Sequence, residues 1–304
     1  MRIVAIGECM VELAPTGHGT DMAMGFAGDT MNTAWYLRRL LGPQHRVDYM
    51  TAVGTDHLSE RMVAFLGDAG LGTDHIARHD DATVGLYMIH LDEGERHFSY
   101  WRGQSAARRL AADGAALTRA LDGADIAYVS GITLAILPPA DRARLLEALR
   151  AFRAAGGTVA FDPNLRPKLW PSPAGMTEAI MQAAAVSTIC LPSYDDEATF
   201  FGDDNPAATA ARYAAAGAAR VVVKNGPGEM VIRRGTTETT LTPAPVGHVV
   251  DTTAAGDSFN AGYLAALVTG ATDADAAAAG AALAGRVIGA RGALVPQATE
   301  GLRG

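Results

Sequence analysis

Cysteine is scarce in this chain: Cys9 and Cys190 are the only two in 304 residues, each inside an apolar run. Two such thiols offer neither a disulfide framework nor metal-ligand spacing, so both read as small buried hydrophobes. Basic charge is short as well, with 25 Lys and Arg against 33 Asp and Glu and a formal net charge of -8. That balance lacks the positive face needed to displace counterions from a phosphate backbone, which excludes a general nucleic-acid binder. Long hydrophobic runs are missing too. The tract 276–284 is mostly Ala and Gly, flanked by Asp273, Asp275 and Arg286, and is too short and too weakly apolar to span a bilayer. The opening run Arg2-Ile3-Val4-Ala5-Ile6-Gly7 meets Glu8 before it could serve as a signal peptide, so a cytoplasmic location is expected. No linker rich in Pro, Gly or Ser divides the chain, and no repeat is seen.

What is present is the balance of a globular enzyme, 49% hydrophobic and 19% charged. Strand-like runs at 3–7, 47–54, 126–130, 158–162, 188–191 and 220–224 alternate with helical stretches at 30–41, 59–69, 141–155, 206–216 and 256–269. This is the α/β pattern of a mainly parallel sheet with helices on both faces. Residues 21–28 and 84–100 break the alternation, being extended with no helix between. In the second, 85–91 and 96–100 flank Asp92-Glu93-Gly94-Glu95, a hairpin turn by composition. A small sheet projecting from the α/β body suits a lid over a cleft; an edge hairpin without a gating role is the plainer alternative.

The segment richest in chemistry is Asp251-Thr252-Thr253-Ala254-Ala255-Gly256-Asp257-Ser258-Phe259-Asn260-Ala261-Gly262. Its small residues let a ligand approach the backbone, and a helix follows. Free N–H groups at a helix N-terminus suit an anion. The amides of Ala254, Ala255 and Gly256 are therefore the expected anion hole, where they would steady charge on a phosphoryl group in transfer. Asp257, on the first helical turn, can accept the proton of an attacking hydroxyl. Taken alone it reads equally well as a helix cap.

These residues resemble the C-terminal signature of the ribokinase-like (phosphofructokinase-B type) carbohydrate kinases, usually Asp-Thr-x-Gly-Ala-Gly-Asp. Ala254 replaces the first Gly, an exchange that keeps the amide where the backbone needs no positive φ. Phe26-Ala27-Gly28-Asp29-Thr30-Met31-Asn32 resembles the family's N-terminal signature, with Ala27 for its first Gly. Gly28 would let a sugar lie against backbone, and Asp29 and Asn32 offer hydrogen bonds to hydroxyls. The resemblance spans essentially the whole chain, with both signatures in order and at the right ends. It implies a three-layer α/β/α ribokinase-like fold over 1–304, with lid segments at about 11–28 and 84–103.

The resemblance also implies ATP with Mg2+, the metal held mainly through phosphates and water. Lys224, Gly226 and Gly228, in the turn after the 220–224 strand, would lie against the nucleotide, together with Asn164 and Ser193. Lys224 stands where the family has Thr and could pair with phosphate. The family's Asn-x-x-Glu element becomes Ser193-Tyr194-Asp195-Asp196-Glu197 here, leaving Asp196 and Glu197 both open as the acid. Some relatives hold a monovalent cation such as K+ near the segments matching 251–253 and 291–293. Pairing of subunits through lid edges in this family makes a homo-oligomer one expectation; partners otherwise are small molecules, with no nucleic acid or membrane.

Three strings point to an acidic sugar. Ser99-Tyr100-Trp101-Arg102 ends the expected lid, Asp162-Pro163-Asn164-Leu165-Arg166 follows a strand, and Glu12 stands where kinases for neutral furanoses usually have Asp. Arg102 and Arg166 could clamp a carboxylate, which the planar guanidinium fits. The strings resemble a branch of the family acting on 2-keto-3-deoxygluconate, in which residues matching Gly28, Tyr87, Tyr100, Arg102, Arg166 and Asp251 surround the sugar. A sister kinase for fructose, ribose or another keto or deoxy sugar, and an inactive sugar sensor on the same fold, are the rival readings.

Overall fold

The computed structural model describes the chain apart from residues 18–19, 93–94 and 303–304, so the middle of the expected hairpin turn lies outside the described residues. Strands in chain order are β1 (Arg2–Ile6), β2 (Met10–Pro15), β3 (Met22–Ala27), β4 (Arg46–Val53), β5 (Ile76–Arg78), β6 (Gly85–Asp92) and β7 (Glu95–Trp101). They continue with β8 (Ile126–Ser130), β9 (Thr158–Asp162), β10 (Ile189–Cys190), β11 (Arg220–Val223), β12 (Met230–Arg234) and β13 (Thr237–Leu241). The helices are α1 (Asp29–Leu40), α2 (His57–Asp68), α3 (Gly114–Leu121), α4 (Gly131–Ile136), α5 (Pro139–Ala154), α6 (Pro173–Val186), α7 (Tyr194–Phe201), α8 (Pro206–Ala215), α9 (Ala255–Val268) and α10 (Asp273–Val287).

A nine-stranded sheet runs β13-β12-β11-β10-β9-β8-β1-β4-β5. From β11 to β5 all neighbours are parallel, and β12 and β13 add an antiparallel edge. Parallel strands covered on both faces read as continuous apolar runs, as in Ile126-Ala127-Tyr128-Val129, all buried. Alternate side chains feed two cores. Ile3, Ala5, Ile126 and Tyr128 join the cluster that includes buried residues of α1, α9 and α10. Val4, Ile6, Ala127 and Val129 join the cluster that includes buried residues of α3, α5 and α6. The result is a three-layer α/β/α body. Among the described residues no helix is long and apolar enough to cross a membrane.

The two extended regions, together with β2, form a second sheet ordered β3-β2-β6-β7, the lid. β2 pairs antiparallel with β3 and parallel with β6, which in turn pairs antiparallel with β7. Helix starts follow local capping. α2 begins ahead of the expected position 59 because Asp56 accepts from the amides of Leu58 and Ser59. The expected alternation missed α10, whose Ala- and Gly-rich composition gives no contrasting polar and apolar faces.

The chain enters α9 through Ala254, which has φ 59 and ψ 17, in the left-handed region. The expectation that Ala could stand there without a positive φ is therefore corrected. The Cβ of an L-residue crowds its carbonyl in this conformation, and the local cost is about 1–2 kcal/mol. Ala254→Gly should relieve that strain, less the extra freedom glycine gains in the unfolded chain, for a net gain of about 0.5–1 kcal/mol. Thermal unfolding should then shift upward by about 2 °C; a lower midpoint would show that the Ala254 methyl packs more favourably than its backbone strains.

Candidate active site

A cavity of about 510 Å³ opens outside the carboxyl ends of the parallel strands. β1 lies between β8 and β4, so the chain goes one way from β1 early on and the other way later. Ligands of open α/β sheets collect at such switch points. Each strand there delivers a lining residue at or just past its end: Glu8 after β1, Ile132 after β8, Asp162 closing β9, Ser193 after β10 and Lys224 after β11. From the lid come Met10, Tyr87, Phe98, Tyr100 and Arg102; from α1 and the residue before it, Gly28, Asp29 and Asn32.

Asp257 lies on the first turn of α9 and is 9% exposed. Its Oδ2 accepts from Asn32 Nδ2 at 2.8 Å. Burial raises its pKa, and the neighbouring carboxyl of Asp29 raises it further against the opposing hydrogen bond from Asn32. No side chain caps α9. The backbone N–H groups of Ala254, Gly256 and Asp257 make no hydrogen bond among the described residues, whereas Ala255 N–H donates to Thr252 O at 3.2 Å. The open donors are thus Ala254, Gly256 and Asp257; Ala255, expected among them, instead closes the turn. Lys224 Nζ stands 3.6 Å from where a Cβ on Gly256 would be, so a cation underlies the same turn.

Lys224 is not a free phosphate ligand. Its ammonium is buried and donates to Asp162 Oδ2 at 3.1 Å and to Asn260 Oδ1 at 3.2 Å. Asn260 also donates to Asp162 Oδ2, at 2.6 Å, so the pair is tied to α9 behind Asp257. Asp29 accepts from Asn164 Nδ2 at 2.9 Å, and burial raises its pKa as well. Asn32 and Asp29, expected to meet hydroxyls, therefore spend polar atoms on Asp257 and Asn164. Asn164 lines the cavity with φ 35, its amide N–H held by Asp162 Oδ1. Gly28 lines the cavity, and a Cβ there would stand 2.2 Å from the Glu8 carbonyl oxygen, so only glycine permits this close approach of the two backbones.

On the lid side, Tyr87 and Tyr100 line the cavity with ring centroids 5.9 Å apart. Glu12, expected to mark the sugar site, does not line it; it accepts the Tyr87 hydroxyl. Arg102 lines the cavity and is ion-paired to Glu8. Arg166 is more open and stands 3.8 Å from Asp196. Asp196 and Glu197, both left open by the sequence, differ in position. Asp196 lines the cavity, its pKa raised by burial. Glu197 points into the body, bound by Arg212 at 2.7 Å and Tyr213 at 2.9 Å. Asp251 lines the cavity but accepts from Thr253 Oγ1 and Gly292 N–H, each at 2.7 Å, which joins segments 251–253 and 291–293.

Gly226 and Gly228 do not line the cavity. They lie in the turn linking the antiparallel strands β11 and β12, which Asn225 Nδ2 closes onto Glu229 O at 3.0 Å. A second cavity of about 360 Å³, mostly apolar, lies between residues 241–246 and the α10 face carrying Ala278, Ala281 and Gly285; no motif marked it in the sequence. Glu8, Phe98 and Asp162 were also missed. The signal for Glu8 and Asp162 was their place at the carboxyl ends of strands, where a side chain faces the cleft.

A family model described as pfkB family carbohydrate kinase matches residues 1–300. The chain is 42% identical over 302 residues to a 2-dehydro-3-deoxygluconokinase of Dickeya dadantii, with 97% of each chain covered. It is 40% identical over 303 residues to a protein of that name from Escherichia coli K12, again over 97% of each. Among solved structures, a PfkB protein from Polaromonas sp. superposes with a TM-score of 0.84 at 27% identity, covering 98% of both chains. By full-length match to the family and to these relatives, this chain belongs to the pfkB family of carbohydrate kinases.

Proposed function

We propose that this chain transfers the γ-phosphoryl group of ATP to the 6-hydroxyl of 2-keto-3-deoxygluconate, also called 2-dehydro-3-deoxygluconate, giving the 6-phosphate and ADP. The observation that carries the reading is a single cavity with Asp257 beside open main-chain donors on its body side and Arg102 on its lid side. Relatives at 40–42% identity named for this activity support the choice of sugar.

In the proposed step the acceptor oxygen bonds to the γ-phosphorus as the bond to the ADP oxygen breaks, and the hydroxyl proton passes to Asp257. Burial brings the proton affinity of that carboxyl closer to working pH, as a general base requires, and Asn32 holds its orientation. The amides of Gly256 and Asp257, with Lys224 beneath them, stabilise charge on the transferred group. Among the described residues no group of three or more His, Cys, Asp or Glu could hold a metal. Mg2+ would be held mainly by nucleotide phosphates, where it offsets their charge, with Asp196 the carboxyl nearest in character to such a role. The apolar second cavity is a suitable slot for the nucleotide base. Arg102 and Arg166 take the sugar's acid group, and the lid keeps water from the phosphoryl group. A kinase for a neutral sugar is the second reading, favoured by one fact: Arg102 already has a carboxylate partner in Glu8.

Asp257→Asn should retain ligand binding and lose at least ~10²-fold in kcat, the scale of a missing general base; near-normal turnover would refute the role. The same variant should be more heat-stable than the parent at neutral and alkaline pH. A raised folded pKa means that the stability from Asp257 is full at low pH and lost as pH rises through that pKa, a loss Asn cannot suffer. The gap in unfolding midpoint should therefore close on acidification; a gap independent of pH would show that charge is not its cause. Arg102→Ala should raise KM for 2-keto-3-deoxygluconate at least about tenfold, the scale of a lost charge-assisted hydrogen bond, and change KM for fructose little. Equal loss on both sugars would mean the guanidinium does not read the carboxylate.

A further inference from the structure

We infer that Glu8 is the positioning residue for Arg102, holding one nitrogen of the guanidinium so that the others are presented to the substrate's acid group. The inference rests on the acid-sugar reading above. Glu8 is 2% exposed and lines the cavity just beyond β1. One carboxylate oxygen accepts from Arg102 Nη2, and the other accepts from Ser105 Oγ at 2.5 Å. Both partners lie on the chain leaving the lid, since Arg102 directly follows β7. The chain entering the lid closes on the same pair. A Cβ at Gly85, the first residue of β6, would stand 2.9 Å from Glu8 Oε1 and 3.3 Å from Arg102 Cβ. A carboxylate rooted in the body thus holds the chain leaving the lid and lies close against the chain entering it.

What this grip leaves over is the second observation. Arg102 Nε is buried and has no hydrogen-bond partner among the described residues, and no bond to Nη1 is made either. A buried donor without an acceptor is a standing cost, which a carboxylate arriving in the cavity would remove. A long Arg side chain next to a lid strand has many rotamers, and its planar fork recognises a carboxylate only when its orientation is set. Glu8 sets it, at the expense of some of the attraction Arg102 alone would exert on an anion. On this account Glu8 touches neither the phosphoryl group nor the base, and it acts on the sugar only through Arg102.

The test is a double-mutant cycle on the full-length enzyme with 2-keto-3-deoxygluconate and fructose as acceptors. Glu8→Ala should raise KM for the acid sugar at least about tenfold while leaving KM for ATP and the pH profile of kcat unchanged, the pattern of lost sugar binding. In the Arg102→Ala background the same change should add less than about twofold, because coupled residues are not additive. Glu8→Gln, isosteric and uncharged, serves in the same cycle should Glu8→Ala fail to fold, and it should raise the same KM severalfold. Multiplying effects of the two substitutions would overturn the inference. So would an equal rise in KM for ATP and sugar, which marks a structural role. If Arg102→Ala weakens both sugars alike, the acid-sugar reading fails; the cycle then still reports separately whether Glu8 positions Arg102.

Discussion

A carboxyl group kept out of water at the start of a buried helix is the constraint around which the rest of this molecule is arranged. Asp257 lies where α9 leaves three main-chain donors open to the cavity, and nine successive residues of α9, from Asp257 to Ala265, are buried. A charge in such a place needs fixed polar partners, because desolvation otherwise favours its neutral form. Asn32 from α1 supplies one, and the Lys224–Asp162–Asn260 cluster behind it supplies a cation that water does not screen. Each partner comes from a different element, so the site exists only when the layers are assembled.

The charge balance of the cavity follows from the same crowding. Glu8, Asp29, Asp162, Asp196, Asp251 and Asp257 line it against Arg102, Arg166 and Lys224. Six carboxyl groups facing three cations make a poor receptacle for a nucleotide and an acidic sugar unless protons or metal offset part of the negative charge. Burial raises the pKa of Glu8, Asp29, Asp196 and Asp257 alike, which moves these groups toward proton uptake. Two of the three cations are also committed: Lys224 to Asp162 and Arg102 to Glu8. The site is therefore a network of paired charges in which a ligand completes bonds at a few open donors, rather than an attractive basic pocket. Such pairing trades affinity for orientation, and orientation is what in-line phosphoryl transfer needs.

The strands of the parallel sheet were legible because burial on both faces demands unbroken apolar runs, and α9 because its start and its Gly-containing turn are local features. The lid was legible as two extended stretches without a helix, though not its pairing of β2 with β6, which are distant in the chain. Among site residues, Asp257 and the Ala254–Gly256 turn could be found because their chemistry depends on a helix N-terminus, written in a few consecutive residues. Tyr87 and Tyr100 came from resemblance, Arg102 and Arg166 from their placement and guanidinium chemistry as well, and the cavity does contain all four.

What the amino-acid order determined by itself was a layered α/β body, the place of Asp257 at a helix start and the small residues in the turn before it. Tertiary structure alone decided which acids face the cavity: Asp196 and Glu8 do, whereas Glu197 is held by Arg212 and Glu12 by Tyr87. It also decided that Ala254 takes a left-handed backbone and that Lys224 spends its charge on Asp162. The reason is physical. Helix starts and buried strands are set by neighbours in sequence, but the partner of a charged side chain is set by which remote element packs against it, and that contact forms only when the sheet, α1, α9 and the lid come together.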